Sequence, residues 1–258
     1  MIGSQIIHKD FCENSIKWCK ENFDSLKDGT VLIADKYGYA IGRQGRTWQV
    51  SEGQLLITFV LKKINIPKEK HESPSNCKYS SDKHLNHLNM SMSLGIIDSL
   101  KKHGCRLKWP NDFVINNKKV GGMIVHTIWE SNSTKGVIVG VGININNIFV
   151  EENNLYSIAT SIRQETKTKL DIQKLRDDIL LKLNSRYNQY RQKEYITIFQ
   201  EWKNSQSYLG KKILAHKING ELISGTMKDV DSDGNLFLVD KFEKNHTLSF
   251  QSVDNISV

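Results

Sequence analysis

The chain has 258 residues, of which 38% are apolar and 25% are charged. Such a chain is long enough to bury at least one full core, and its composition is typical of a globular protein with one large and one small domain. No apolar run reaches the ~20 residues that a bilayer span needs, and residues 1–10 lack the hydrophobic core of a signal peptide. The sequence therefore excludes a helical membrane protein and predicts a cytoplasmic one.

The chain is basic, with 36 lysine and arginine residues against 28 acidic residues, a net charge of +8 and a pI near 9.2. This excess is compatible with a nucleic acid, an acidic protein or an anionic substrate as partner. The lysines are scattered without a long basic block, which favours a solvated surface. The four cysteines have no Cys/His metal spacing, so we interpret them as reduced structural thiols.

In chain order, the first half of the sequence predicts a helix, two strands, an exposed polar insertion and a second helix. The first helix has Ile16, Cys19 and Phe23 on one face. The insertion is too poor in apolar residues to fold by itself. These segments are residues 11–22, 30–37, 53–62, 62–83 and 85–104, the last one ending at Gly104 as a C-terminal cap.

The second half predicts short β-branched strands with hairpin turns, then a long amphipathic helical region, then short strands to the end. These segments are residues 105–110, 112–117, 118–129, 136–146, 170–199 and 208–258. An Asp-Gly turn at Asp233 and Gly234 supports hairpin pairing in the last region. The predicted fold is α+β, with a mixed β-sheet domain flanked by helices at residues 1–206 and a small β-barrel at residues 207–258.

The stretch "IGRQGRTWQV" at residues 41–50 predicts a loop between two strands. Gly42 and Gly45 permit positive φ angles and leave backbone N–H groups uncovered. Arg43 and Arg46 offer forked donors that suit a phosphate or a carboxylate. The loop is therefore a candidate anion site, although a surface turn with solvated arginines is the alternative when this stretch is considered alone.

A second candidate site lies in "LKWPNDFVINNKKVGGMIVHT" at residues 107–127. Turn chemistry explains Asp112 after the Trp-Pro-Asn sequence, but not Lys119 and the glycine pair that follow it in the next strand. Glycine weakens a strand unless something approaches the backbone closely. The following strand repeats this anomaly with Gly140 and Gly142. Two strands marked by glycines and a Gly/Arg loop predict one shared ligand pocket.

Four motifs, in this order and at about the usual spacings, closely resemble the biotin protein ligases, also called biotin–[carboxylase] ligases or holocarboxylase synthetases. They are "GRQGRTW", "KWPND", "KKVGG" and "GVGININ", and "ATSI", "YLG" and "DVDSDGNLFL" are similar to the family's later landmarks. The resemblance spans nearly the whole chain. It implies a catalytic domain at residues 1–206 and an SH3-like β-barrel at residues 207–258. It also leads us to expect a monofunctional ligase, because no DNA-binding helix-turn-helix precedes Ser15.

The resemblance implies a two-step, ATP-dependent reaction. Biotin's carboxylate is joined to the α-phosphate of ATP with release of pyrophosphate, and biotin then passes from biotinyl-5′-AMP to a lysine of a biotin carboxyl carrier domain. Mg²⁺ is expected with ATP, because cations that bridge phosphate oxygens offset their charge. We expect a monomer or homodimer with no nucleic-acid and no membrane partner.

The family's functional positions carry over to this chain by motif. The residues implied in catalysis are Arg43, Lys108, Asp112 and Lys119. Those implied in biotin binding are Ser15, Gly42, Arg43, Lys119, Gly121 and Gly122, and those implied in ATP binding are Arg43, Arg46, Trp48, Asn111, Lys119, Gly142 and Asn144. Arg43 and Lys119 would neutralise carboxylate and phosphate charge. Asp112 would orient or deprotonate the incoming lysine amine, and Trp48 has the alternative of anchoring the end of the loop.

The chain departs from the family pattern at several positions. Ala40 and Ile41 stand where Gly-Arg is common, Tyr37 where glutamine is usual, and Ile16 where a Ser-Thr-Asn triplet has its threonine. The missing hydroxyl and amide would each cost on the order of 1 kcal/mol of hydrogen bonding to the ureido end of biotin. Weaker biotin binding or an altered acyl substrate is therefore expected.

Two other functions fit parts of the sequence. A lipoate-type ligase would share the scaffold and the adenylation chemistry, although its loop is not expected to be similar to "GRQGRTW". A non-catalytic nucleic-acid-binding protein would use the basic charge and the terminal barrel. Competition between biotin and lipoate tests the first alternative, and a salt-dependent shift with oligonucleotides tests the second.

Overall fold

The computed structural model describes residues 1–62, 64, 83–130 and 133–258. Most of the exposed insertion predicted at residues 62–83 lies outside the described residues. Ile64, within that range, is 4% exposed and belongs to the main hydrophobic core. Every helix of the described chain is too short or too polar to cross a bilayer.

A seven-stranded sheet forms the centre of the larger part of the molecule. A separate two-stranded ribbon consists of β3 (Ala40–Ile41) and β4 (Thr47–Trp48). The strands of the large sheet are β1 (Gln5–Cys12), β2 (Thr30–Tyr37), β5 (Gln54–Leu61), β6 (Arg106–Lys108), β7 (Asp112–Ile115), β8 (Lys118–Glu130) and β9 (Ser133–Asn144). Their order is β1-β2-β5-β9-β8-β7-β6, with β1 parallel to β2 and the other pairs antiparallel. The predicted mixed sheet is thus confirmed.

Helices cover both faces of this sheet. They are α1 (Ser15–Glu21), α2 (Lys83–Leu100), α3 (Ile162–Thr166), α4 (Ile172–Arg191) and α5 (Tyr195–Asn204). Successive side chains of β5 point to opposite sides of the sheet, so this strand contributes apolar residues to the core on each face. Phe59 belongs to the main core with α2, α4 and α5, whereas Val60 belongs to a smaller cluster with Ile16 of α1.

One predicted helix boundary was wrong. The helix predicted from residue 11 begins at Ser15, because Phe11 and Cys12 continue β1, a strand that the sequence analysis missed. Asn14 caps the helix by accepting a hydrogen bond from the Lys17 amide at 2.8 Å. The long helical region predicted at residues 170–199 consists of two helices, α4 and α5, separated by a turn in which Lys193 has a φ of 61°.

A five-stranded antiparallel sheet follows, consistent with the expected small SH3-like barrel. Its strands are β10 (Lys212–Lys217), β11 (Leu222–Val230), β12 (Leu236–Asp240), β13 (Asn245–Leu248) and β14 (Val253–Ser257), in the order β13-β12-β11-β10-β14. The buried Trp109 donates its indole N–H to the Gly234 carbonyl at 2.9 Å, which fastens this sheet to the larger one. The boundary between residues 206 and 207 stays a prediction.

Candidate active site

Glycines on neighbouring strands form a bare floor on one face of the large sheet. Gly122 of β8 lies opposite Gly142 of β9, and Gly140 lies opposite Ile124. A Cβ on Gly142 would lie 3.1 Å from the ring of Trp48. The sequence predicted that some group approaches the backbone of these strands closely. In the structure, the ring of Trp48 is one such group.

The floor opens into a cavity of about 590 Å³, a volume in the range of pockets for small organic ligands. Of the site residues named from the sequence, those that line it are Ser15, Gly42, Arg43, Arg46, Trp48, Lys108, Asn111, Asp112, Lys119, Gly122, Gly142 and Asn144. Gly121 is not among the lining residues, because a Cβ there would face the Gly142 carbonyl and the Phe113 ring instead. The structure thus brings together every residue implied in catalysis or ligand binding except Gly121.

Asp112 lies between two lysines. The Nζ atom of Lys119 is 2.6 Å from its Oδ1, and that of Lys108 is 4.0 Å from its Oδ2. Burial by itself raises the pKa of Asp112, but the two ammonium groups and the Arg43 guanidinium outweigh burial and hold this pKa below its ordinary value. Asp112 is therefore ionised at neutral pH. Lys119 also lies over the Trp48 ring, 5.7 Å from its centroid.

Lys108 connects the two sheets of the molecule. Its side chain is 11% exposed, and its Nζ donates a 2.8 Å hydrogen bond to Oδ1 of Asn255 on β14. Burial lowers the pKa of Lys108, and the nearby Asp112 carboxylate opposes that effect. Asn255 of the C-terminal sheet therefore contacts the candidate site, a contact that the sequence analysis did not predict.

The Gly/Arg loop also contacts the C-terminal sheet. Arg43 donates to the backbone carbonyls of Phe250 and Val253, the latter at 3.0 Å. Arg46 lies 3.5 Å from the Asp254 carboxylate and donates to its carbonyl at 3.3 Å. Burial lowers the pKa of Arg43 from its ordinary value. These arginines are thus held by the C-terminal sheet rather than by solvent alone.

The backbone of the loop differs in one respect from the expectation. Gly45 has a φ of 73°, in agreement with the need for a glycine there, and Gln44 also has a positive φ of 56°. Gly42 has a φ of −92°, and its N–H donates to the Arg46 carbonyl at 2.7 Å. The N–H group of Gly42 is therefore engaged within the loop and is not uncovered.

The amide side chains among the named residues support neighbouring backbone. Asn144 donates to the Thr160 carbonyl at 3.0 Å and accepts from Gln54 at 2.9 Å. Asn111 donates to the Met123 carbonyl. Both residues line the cavity, and their hydrogen bonds fix the neighbouring backbone and side chains.

One end of the cavity contains a hydroxyl pair. Oγ of Ser15 and Oγ1 of Thr58 are 2.6 Å apart, and both residues are buried and line the cavity. Thr58 was not named from the sequence, although the period of two along β5 places it on the same face as Leu56. Ile16 also lines the cavity, where its Cδ1 would lie 2.8 Å from a Cβ on Gly140.

Tyr37, which stands where the family has glutamine, has a structural role. Its hydroxyl donates to the Leu56 carbonyl at 3.0 Å and accepts from the Ala34 amide at 2.8 Å. Burial raises the pKa of this phenol above its ordinary value. Tyr37 therefore joins β2 to β5, and it is not among the residues that line the cavity.

An irregular segment after β9 forms an apolar wall of the cavity. It runs beside the first residues of β8, because the Lys119 amide donates to the Ile158 carbonyl at 2.8 Å and the Thr160 amide donates to the Lys119 carbonyl at 2.9 Å. Phe149, Leu155 and Ile158 from this segment line the cavity. The wall fixes the backbone from which Lys119 reaches Asp112.

The carboxylate side chains that line the cavity are those of Asp112 and Asp254, and Asp112 is engaged by two lysines. Among the described residues, the side chains that come close enough together to hold a metal ion are His8, Asp10 and Asp35, which are exposed on β1 and β2 and do not line the cavity. The donor set of the cavity therefore does not fit a resident Mg²⁺. Mg²⁺ remains the predicted companion of the ATP phosphates.

The site thus combines a large cavity, cations around one carboxylate and contacts from the C-terminal sheet, an arrangement suited to an enzyme that acts on anionic ligands. The sequence model of the Biotin/lipoate A/B protein ligase family matches residues 12–144, about half of the chain. The chain belongs to this family. The resemblance to biotin protein ligases that the four motifs carry is thereby confirmed.

Individual relatives agree with this assignment. The chain is 27% identical over 245 residues to the bifunctional ligase/repressor BirA of Bacillus subtilis, covering 92% of this chain and 70% of that protein. It is 22% identical over 218 residues to the biotin--[acetyl-CoA-carboxylase] ligase of Mycobacterium tuberculosis, covering 82% of this chain and 73% of that protein.

The fold agrees with solved structures. The biotin protein ligase from Aquifex aeolicus in complex with biotin and ATP superposes with a TM-score of 0.77 at 21% identity, covering 98% of both chains. The biotin protein ligase from Leishmania major in complex with biotinyl-5-AMP superposes with a TM-score of 0.57 at 16% identity, covering 95% of this chain and 98% of that one. The α+β fold expected from the sequence is therefore confirmed.

Proposed function

We propose that the protein is a biotin protein ligase that forms biotinyl-5′-AMP from biotin and ATP and transfers biotin to a lysine of a biotin carboxyl carrier domain. The observation that carries this proposal is the arrangement of Lys119, Lys108 and Arg43 around Asp112 beside the glycine floor. Such a set suits a reaction in which a carboxylate and a phosphate must approach each other. The Mycobacterium tuberculosis relative and the Aquifex aeolicus and Leishmania major structures support the proposal, because their names specify biotin.

In the first step, an oxygen of the biotin carboxylate forms a bond to the α-phosphorus of ATP, and the bond from that phosphorus to the bridging oxygen breaks. Pyrophosphate leaves with the electron pair. Negative charge gathers between the two substrates, and fixed cations in a partly dry site stabilise it more than water would. Lys119 has three N–H donors, so it can keep one on Asp112 and direct the others to the ligand.

In the second step, the acceptor amine forms a bond to the acyl carbon, and the bond from this carbon to the phosphate oxygen breaks, releasing AMP. The low pKa of Asp112 makes its carboxylate a weak base. Of the two roles considered from the sequence, this favours orienting the incoming lysine over removing its proton. The proton that the amine loses then passes to solvent.

The Gly/Arg loop serves to cover the intermediate. Trp48 lies against the glycine floor, and Arg43 is anchored on the carbonyls of Phe250 and Val253. A closed loop keeps water from the reactive mixed anhydride and holds it until an acceptor arrives. The cytoplasmic location and the monomeric or dimeric state stay predictions, as does the absence of a nucleic-acid partner.

ATP-dependent transfer of labelled biotin to a purified biotin carboxyl carrier domain tests the proposal. The expected result is incorporation that needs ATP, releases one pyrophosphate per biotin and is lost when the acceptor lysine is replaced. Lipoate in excess serves as competitor. Incorporation of lipoate in preference to biotin would establish the lipoate-type alternative, and no biotin-dependent release of pyrophosphate would refute the proposal.

A further inference from the structure

Lys108 is a buried cation whose position is set from the C-terminal sheet. Within the described part of the chain, the hydrogen-bond partner of its Nζ is Oδ1 of Asn255, at 2.8 Å, and the nearest carboxylate oxygen, of Asp112, is at 4.0 Å. A buried ammonium group is costly unless it is hydrogen-bonded. The Asn255 amide therefore fixes the position of the Lys108 ammonium group at the wall of the cavity.

The hydrogen-bond partner of Lys108 is the neutral amide of Asn255, which adds no negative charge to the site. A carboxylate at the same distance would form an ion pair and cancel the field of Lys108, whereas an amide dipole holds the ammonium without cancelling its charge. Asp112 gives its short ion pair to Lys119, at 2.6 Å. The two lysines share this single carboxylate, so together they keep a net positive charge that is available to an anion in the cavity.

We propose that Asn255 is a positioning residue for the adenylation step: its side-chain amide fixes Lys108 at the cavity wall and adds no carboxylate that would cancel the net positive charge of the Lys108–Lys119 pair. This inference rests on the proposed function. It gives the C-terminal sheet a specific part in the chemistry, because Asn255 lies on β14, and its neighbour Asp254 contacts Arg46 of the loop. The amide acts through Lys108 and does not touch the reacting atoms.

Replacement of Asn255 by aspartate separates this role from a structural one. Asn255→Asp keeps an acceptor of the same shape and strengthens the bond to Lys108, so a residue that serves stability alone would retain the wild-type rate. If the net positive charge of the lysine pair matters, kcat for biotin-dependent pyrophosphate release falls about tenfold while the KM for biotin changes less. Asn255→Leu removes the acceptor and is expected to lower kcat to a similar degree.

The pH profile supplies a second signature. The pKa of Lys108 is lowered by burial and by Lys119 and Arg46, and is raised by Asp112. An added aspartate raises it further, so the alkaline limb of the profile of kcat/KM moves to higher pH in Asn255→Asp. In Asn255→Leu the charged form loses its acceptor, and the alkaline limb moves to lower pH.

Asn245→Asp and Asn245→Leu are matched controls, because Asn245 is an exposed residue of the same sheet on β13. They are expected to leave the rate and the pH profile unchanged. Thermal unfolding verifies that all variants are folded, and Asn255→Gln, which retains an amide, should recover part of the rate.

The outcomes separate this inference from the proposed function. An active wild-type protein together with an Asn255→Asp variant of wild-type rate and unshifted pH profile would overturn the inference alone. A wild-type protein that releases no pyrophosphate with biotin would overturn the proposed function, and the inference with it. A lower kcat in Asn255→Asp, together with limbs that shift in opposite directions in the two variants, supports the role of Asn255.

Discussion

Asp112 and Lys119 form a 2.6 Å ion pair across the β7–β8 hairpin, and this pair depends on a register shift. In a regular strand Lys119 would face the side opposite to Gly122, because side chains alternate. The pairing of the two strands shifts between Phe113 and Val114, so that Val114 lies opposite Lys119 while Asp112 lies opposite Gly122. This irregularity returns Lys119 to the face of Asp112 and assembles the site.

Lys119→Ala is expected to lose about 3 kcal/mol of transition-state stabilisation, about a hundredfold in the rate of adenylation. The cation matters more as charge accumulates than in the ground state, so turnover should fall more than biotin affinity. Lys119→Arg should recover little, because a planar fork does not replace a compact ammonium. Pyrophosphate release at saturating biotin and ATP is the measurement.

Lys174→Ala is the control for Lys119, because this lysine is 87% exposed on α4, far along the chain from the site motifs. It should retain the wild-type rate. Near-normal turnover in Lys119→Ala would show that Lys119 is a solvated strand residue and would remove it from the site.

Arg43→Gly is expected to keep the fold but to release biotinyl-5′-AMP. The substitution removes a cation that faces Asp112 and the bonds that tie the loop to Phe250 and Val253. Labelling of lysines on an unrelated bystander protein should therefore rise. Gln44→Gly is a matched control in the same loop, because glycine adopts the positive φ of this position without strain and every cation remains.

If Gln44→Gly increases bystander labelling as much as Arg43→Gly does, loop flexibility rather than the cation controls retention. If neither variant changes the lifetime of the bound adenylate, Arg43 does not close the site. The dissociation rate of biotinyl-5′-AMP, measured by filter binding, distinguishes these results.

Ile16→Thr is expected to restore a hydroxyl at one end of the cavity. Ile16 lines the cavity next to the Ser15–Thr58 hydroxyl pair. One added hydrogen bond of about 1 kcal/mol corresponds to about fivefold tighter binding of biotin. Ile16→Val is the matched control, because valine has the shape of threonine without its hydroxyl. Calorimetry that finds equal biotin affinity in the two variants would refute this prediction.

The contribution of Asp98 to the free energy of unfolding should depend on pH. Asp98 joins α2 to α4 by a 2.7 Å ion pair with Arg186. Burial raises the pKa of Asp98, but Arg186 and Lys101 outweigh burial and lower this pKa below its ordinary value. The unfolded state therefore binds the proton more readily. The stability from Asp98 is present above the unfolded pKa of about 3.9 and is lost as the pH falls through the lower, folded pKa.

Asp98→Asn should cost about 2 kcal/mol in the free energy of unfolding at pH 7, and the difference from wild type should shrink as the pH falls below about 4. Urea unfolding at pH 7 and at pH 3 provides the comparison. Asp177→Asn is the control, because this aspartate is largely exposed and its pair with Arg176 contributes little. A difference between Asp98→Asn and wild type that stays constant with pH would contradict the assigned cause.

Much of the fold followed from local patterns. The strands around Thr30–Tyr37 and Gln54–Leu61 were predicted because runs of β-branched and apolar residues are a short-range signal. Gly104 was predicted as a helix end, and its left-handed φ of 83° agrees. The boundary error at residue 11 arose where strand pairing overrides helical periodicity, and the turn that divides the helical region near residue 192 has no signal in that periodicity.

The glycines inside strands and the Gly/Arg loop predicted one ligand pocket from the residues themselves, because glycine weakens a strand unless something approaches its backbone. The resemblance to biotin protein ligases supplied the other site residues and their roles. Only the tertiary structure decided which glycine of the pair at residues 121 and 122 faces the cavity, since strand register sets the face. It also brought Asn255 to Lys108 and Phe250 to Arg43 across 147 and 207 positions of the chain. Contacts of that separation depend on how two sheets dock, and no local pattern of residues encodes that docking.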